Sequence, residues 1–204
     1  MPYKTDPITG KKKPFINILT LTNKLMKKSL TLLILLVTVP ALAYSQGSIG
    51  ISAQGGMTLP IGDFGDYVKP GYGGTGFLFF ELSPGIEITA TSGKFMWELD
   101  SEVVDVTLSS IPLLLGVRYY LGEGGVAPYA ALQGGLHFLK TEGMGFVGET
   151  EEFGYGIGGG LLFRVSNNFF FDLGVKYNSI LDSEANDYTS DFLSFMLGLR
   201  IAFK

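Results

Sequence analysis

A chain of 204 residues, 46% of them hydrophobic and with a formal net charge of −4, has room for one domain rather than two. It has no cysteine, which excludes disulfides, thiolate metal sites, cysteine nucleophiles and an acylated lipoprotein cysteine. Glycine is in excess at 29 residues, about twice the usual share of roughly 7%, and without a collagen-like period, so some part of the fold requires small residues in number.

The N-terminal segment reads as an address. Lys24, Lys27 and Lys28 precede the apolar run SLTLLILLVTVPALA, which ends in the small-x-small pattern Ala41-Leu42-Ala43. A charged region, an apolar core and a small-residue cleavage site describe a signal peptide over residues 26–43. The run is too short for the ~20 residues of a membrane-spanning helix. Residues 1–25 are polar and proline-containing, an extended or non-native leader, and Met26 is the expected start. Cleavage leaves residues 44–204 with 8 basic against 18 acidic residues, a net charge of −10. An acidic chain is no partner for nucleic acid, because phosphate binding needs a cationic face.

After residue 44 the apolar pattern has a period of two, in pieces of about ten to thirteen residues, and no sustained helical period. In the first piece Ile49, Ile51, Ala53, Met57 and Leu59 alternate with small or polar residues. The second, 72–83, sets Leu78, Phe80 and Leu82 against Thr75, Phe77, Phe79 and Glu81, and the third starts at Ile86 and fades near Lys94. The fourth carries Ile111, Leu113, Leu115, Val117 and Tyr119, and the fifth carries Ala130, Leu132, Leu136 and Phe138. In the sixth, Phe153, Tyr155, Ile157, Leu161 and Phe163 alternate almost wholly with glycine. The seventh presents Phe169, Phe171, Leu173 and Val175, and the eighth Leu193, Phe195, Leu197, Leu199, Ile201 and Phe203.

Eight half-apolar strands have two solutions: a soluble sandwich with the apolar face inside, or a membrane barrel with that face turned to lipid. Three features select the barrel. The minority face holds glycine, small polar residues and the near-balanced charges Glu81, Glu87, Arg118, Arg164, Asp172, Lys176 and Arg200, which suits a narrow lumen filled by side chains and closed by ion pairs. Long acidic connections, near 61–71, 95–106, 141–151 and 181–191, alternate with short ones at 84–85, 122–126 and 166–168, as external loops alternate with periplasmic turns. Tyr119, Tyr120, Tyr129, Phe163, Phe169, Phe170, Phe171 and Phe203 gather at the short-turn ends, where an interfacial aromatic girdle belongs, and Trp97 would mark the outer interface. The expected fold is therefore all-β, an eight-stranded antiparallel up-and-down transmembrane barrel over 44–204. Its last strand must close on its first, since unpaired backbone groups in hydrocarbon cost several kcal/mol.

IPLLLGVRYYLG followed by APYAALQGGLHF, with a last strand bearing Gly198, Ile201 and Phe203, resembles the small porin-like outer-membrane β-barrel family of Gram-negative bacteria. The resemblance implies location in the cell outer membrane, contact with its lipids, and reading of Gly198, Ile201 and Phe203 by the barrel-assembly machinery. The chain departs from the pattern at Lys204, which follows the last aromatic, and at Met196, which stands where a polar residue is typical.

Candidate chemistry is sparse. GYGGTG and GYGIGG match a nucleotide-binding glycine pattern but lack its strand-turn-helix setting, so no cofactor is expected. His137, the sole histidine, faces the lumen, and the sequence places no serine beside it. Fourteen acids crowd the external connections: Asp63, Asp66, Glu98, Asp100, Glu102, Asp105, Glu142, Glu149, Glu151, Glu152, Asp182, Glu184, Asp187 and Asp191. Hard divalent cations are candidate partners of that surface, although no calcium-loop spacing is present. The reading that best fits is a monomeric, non-enzymatic barrel with a structural or surface-interaction role and at most narrow passage for small solutes. The alternatives are a pore or carrier for small hydrophobic molecules, and a lipid-modifying enzyme using His137.

Overall fold

A computed structural model describes residues 47–101, 106–122, 124–143, 146–181 and 189–203. The leader, the signal peptide, Glu102, Asp105, Asp182, Glu184, Asp187 and Lys204 lie outside the described residues. Strands β1 (Ile49–Ile61), β2 (Gly71–Ser83), β3 (Ile86–Glu98), β4 (Val106–Tyr120), β5 (Val126–Gly143), β6 (Phe146–Arg164), β7 (Phe169–Leu181) and β8 (Thr189–Phe203) follow one another, with a short helix α1 (Asp63–Tyr67) between β1 and β2. Each strand pairs antiparallel with the next. The sheet closes where β8 pairs with β1, from Ile49 opposite Phe203 to Ile61 opposite Asp191. All eight expected strands are present, in an up-and-down closed barrel.

Alternation sets the two surfaces. Ile51, Leu78, Leu115, Leu132, Ile157, Leu173 and Leu197 stand exposed on the outer wall. Serine, threonine and charged residues at the intervening positions, among them Ser52, Thr75, Glu87, Thr89, Arg118, Asp172 and Arg200, are buried inside. A water-soluble domain does the reverse. Exposed apolar residues on every strand are stable only where the surrounding solvent is itself apolar.

Glycine makes the interior fit. A Cβ at Gly158 would stand 2.8 Å from Lys176 Cγ, one at Gly154 2.7 Å from the His137 ring, and one at Gly174 2.8 Å from the Tyr129 hydroxyl. At these three inward positions a large side chain of a nearby strand occupies the space beside the glycine.

Several expectations need correction. β3 does not fade near Lys94 but continues to Glu98. The 141–151 connection is largely strand, because β5 and β6 pair up to Gly143 opposite Phe146. Towards the long-loop end the polarity of the two faces inverts: Lys94, Glu98, Lys140, Glu142, Glu149, Glu151 and Asp191 are on outward positions, while Phe95, Trp97, Ile180 and Phe192 are buried inside. Trp97 is 3% exposed within that cluster, so it marks no lipid interface. Of the proposed girdle, Tyr119, Phe163, Phe169, Phe171 and Phe203 do sit on outward positions, whereas Tyr120, Tyr129 and Phe170 point inward.

Candidate functional site

The lumen is built in layers, each supplied by inward positions of strands that face one another. At the short-turn end a cavity of about 520 Å³ opens between Glu81, Tyr120, Arg164 and Asn167. Glu81 accepts a hydrogen bond from Ser48 Oγ at 2.6 Å, and Arg164 lies exposed with its guanidinium 5.8 Å from the Phe170 ring. These two predicted lumen charges therefore belong to the mouth and take no part in the buried pairs.

The cavity ends on Glu87 and Arg200. Arg200 donates from Nη2 to Glu87 Oε2, contacts the Tyr120 hydroxyl through Nη1, and lies 3.5 Å over the Phe79 ring. Next comes Arg118, which donates to Asp172 Oδ2 at 2.6 Å and is sandwiched between Phe77, at 4.2 Å, and Tyr129, at 4.6 Å. Tyr129 donates its hydroxyl to the other Asp172 oxygen at 2.7 Å. Arg118 is 3% exposed and Asp172 0%. Burial at this depth is tolerable because the two charges are paired, the second Asp172 oxygen is bonded to Tyr129, and the guanidinium lies over two aromatic rings. Glu87 and Arg118 are register neighbours on β3 and β4, yet each takes its short ion pair from the opposite wall.

Deeper still, Lys176 donates to Gln133 Oε1 at 3.2 Å, and Asn178 donates to Ser194 Oγ at 3.0 Å and to the Lys176 carbonyl at 3.3 Å. Beside them Ser110 Oγ lies 2.9 Å from His137 Nδ1, both groups fully buried. A serine thus does meet the sole histidine. The register hides it, because His137 is opposite Pro112 and Ser110 is opposite Leu139. Glu152, expected among exposed external acids, is buried on the inner face opposite His137.

An apolar cap closes the long-loop end. Phe95, Trp97, Ile180, Phe192 and Met196 pack with Val68, and Phe64 of α1 leans on the Trp97 ring with centroids 5.6 Å apart. Val68 forms a β-bridge with Leu99, and the Lys69 amide donates to the Glu98 carbonyl at 2.9 Å, which fastens the first connection to the second. Met196 at a usually polar position is explained by this cap.

Of the seven predicted lumen charges, four form two cross-lumen pairs, Lys176 bonds an amide, and Glu81 and Arg164 stand at the mouth. Sequence reasoning missed the aromatic partners Phe77, Phe79, Tyr120 and Tyr129 and the polar partners Gln133, Asn178 and Ser110. Their parity with the inward charges was the available signal. Gly198, Ile201 and Phe203 lie on β8, Gly198 turned inward and the other two outward.

A closed eight-stranded wall with apolar side chains outside and paired charges inside agrees with the family comparison, whose outer membrane protein beta-barrel domain model matches residues 29–200. The chain belongs to that family. Its place is the cell outer membrane. Among solved structures, this outer-membrane barrel is similar to Neisserial surface protein A, with 17% identity, a TM-score of 0.60, and 78% of this chain and 100% of that one covered. It is also similar to the N-terminal β-barrel domain of Pseudomonas aeruginosa OprF, with 21% identity, TM-score 0.52, and 78% and 100% coverage. A major outer membrane protein of Thermus thermophilus matches with 16% identity, TM-score 0.51, and 78% and 100% coverage. These likenesses concern the fold. Comparison with curated proteins returned no match.

Proposed function

We propose that this barrel is a non-conducting, non-enzymatic scaffold that carries an acidic external surface on a rigid transmembrane wall. The observation that supports it is the filled cross-section: two ion-paired layers, Arg200 with Glu87 and Arg118 with Asp172, followed by an aromatic cap, with a void of about 10 Å³ between the ionic and aromatic parts. A void of that size holds about one water and passes no solute. An enzymatic reading through His137 lacks access, since Ser110 is 0% exposed and His137 2%. The external face fits interaction: Glu149 and Glu151 are exposed on the tall β5–β6 hairpin. In this reading Gly198, Ile201 and Phe203 serve as the assembly signal, and the barrel works as a monomer among outer-membrane lipids.

Planar-bilayer recording of the refolded protein tests the claim. A silent bilayer at protein levels that give heat-modifiable barrel is the expected result. Stepwise conductance from the wild type would overturn it in favour of a pore.

A further inference from the structure

The geometry points to a binding site for a short zwitterionic peptide in the cavity at the short-turn end, with Glu81 taking the peptide ammonium and Arg164 the peptide carboxylate. That end faces the periplasm in a barrel of this family. The cavity of about 520 Å³ has the size of a small-molecule site, and it is blind, because the ion pair of Arg200 with Glu87 forms its floor. Its charges are sorted by wall. On one side Glu81 and Glu87 are register partners on β2 and β3, both at inward positions. Two carboxylates directly opposite each other repel, so this placement is a cost to the sheet. On the other side Arg164, Phe170 and Arg200 are register neighbours on β6, β7 and β8, and each guanidinium lies 5.8 Å from the Phe170 ring.

Arg200 crosses to Glu87, and the outer member of each set is left apart. Glu81 on β2 and Arg164 on β6 are four strands apart in a closed ring of eight, on opposite sides of the mouth. Among the described residues Glu81 is bonded by the neutral Ser48 hydroxyl and by no cation, and no carboxylate pairs with Arg164. Glu123, in the β4–β5 connection, and Lys204 lie outside the described residues. The mouth thus presents one free charge of each sign on facing walls. Eight strands about 4.8 Å apart and tilted by about 40° enclose a ring roughly 16 Å across, of which the two side chains span more than half. The ammonium and carboxylate of a single amino acid sit on one carbon, too close together to reach both walls. A peptide of about two or three residues, at roughly 3.3 Å each, spans the remainder. Ile86, Leu162 and Phe170 give its body an apolar bed.

The test is isothermal titration calorimetry of the full refolded barrel in detergent, with trialanine as the probe beside its N-acetylated, C-amidated and doubly capped forms. Saturable binding of trialanine at one site per barrel is expected, each single cap weakening it about tenfold, as loss of one charged hydrogen bond does. No saturable binding, or equal binding of the doubly capped peptide, overturns the site. Glu81→Gln should lose the effect of acetylation and keep that of amidation, and Arg164→Gln should do the converse. Variants that keep both effects place the peptide elsewhere and overturn the assignment. A wild-type readout fixes the location without any variant: nitrogen NMR should show the Arg164 Nε signal moving as trialanine is added, and an unmoved signal overturns the site. Failure of a variant to fold therefore leaves the outcome determined. None of these results depends on whether the barrel conducts.

Discussion

Arg118 and Asp172, 54 positions apart on β4 and β7, meet across the lumen at 2.6 Å with almost no exposure on either side chain. A pair at that depth is expensive to break from one side. Asp172→Ala leaves a bare buried guanidinium and a Tyr129 hydroxyl without its acceptor, and is expected to destabilise the barrel by about 3–5 kcal/mol. Arg118→Met with Asp172→Leu removes both charges and should cost distinctly less than Asp172→Ala alone. Urea unfolding in vesicles measures both, and equal losses would show that the pair is not acting as a unit.

Gly174 gives room to the Tyr129 hydroxyl, 2.8 Å from where a Cβ would stand. Gly174→Ala should therefore push Tyr129 away from Asp172, at a cost of about 1–3 kcal/mol. Adding Tyr129→Phe relieves the collision. The double variant is expected to lose less than the sum of the two single losses, as residues in contact do. Strict additivity would refute the steric account.

Trp97 is the sole tryptophan, so its fluorescence reports one place. It is packed against Phe95 and Phe192, with centroids 6.0 and 5.1 Å away, inside the cap. Emission should be blue-shifted and insensitive to brominated acyl chains placed at any depth of the bilayer. Strong quenching by brominated lipid would return the indole to the lipid interface.

The strand count, the closure of β8 on β1, and the direction of each central side chain were legible because lipid outside and a packed lumen inside impose opposite demands on alternate residues. Legibility failed where one of those solvents changes. Beyond Lys94 the outer wall meets water and the interior becomes aromatic, so Phe95 and Trp97 keep their strand while their polarity phase reverses. A rule that equates apolar with outward stops the strand there. The site was half legible: parity put Glu87, Arg118, Asp172, Lys176 and Arg200 in the lumen, but partners depend on barrel closure and stagger. That is why Ser110 beside His137 could not be read from spacing.

The Ser110–His137 bond yields a structural prediction with a chemical control. His137→Ala orphans a fully buried hydroxyl and is expected to cost about 1–3 kcal/mol in an unfolding titration. Wild type and variant should be alike in leaving outer-leaflet lipids intact, as judged by mass spectrometry. Lipid cleavage by the wild type that disappears in the variant would restore the catalytic reading.

Glu87 and Arg118 are adjacent in the β3–β4 hairpin, yet in the finished cylinder they are bound to residues of β8 and β7. The residues that hold them belong to the last two strands of the chain, so the interior pairing and the seam with β1 depend on the same end of the sequence, and the wall and its contents are completed together.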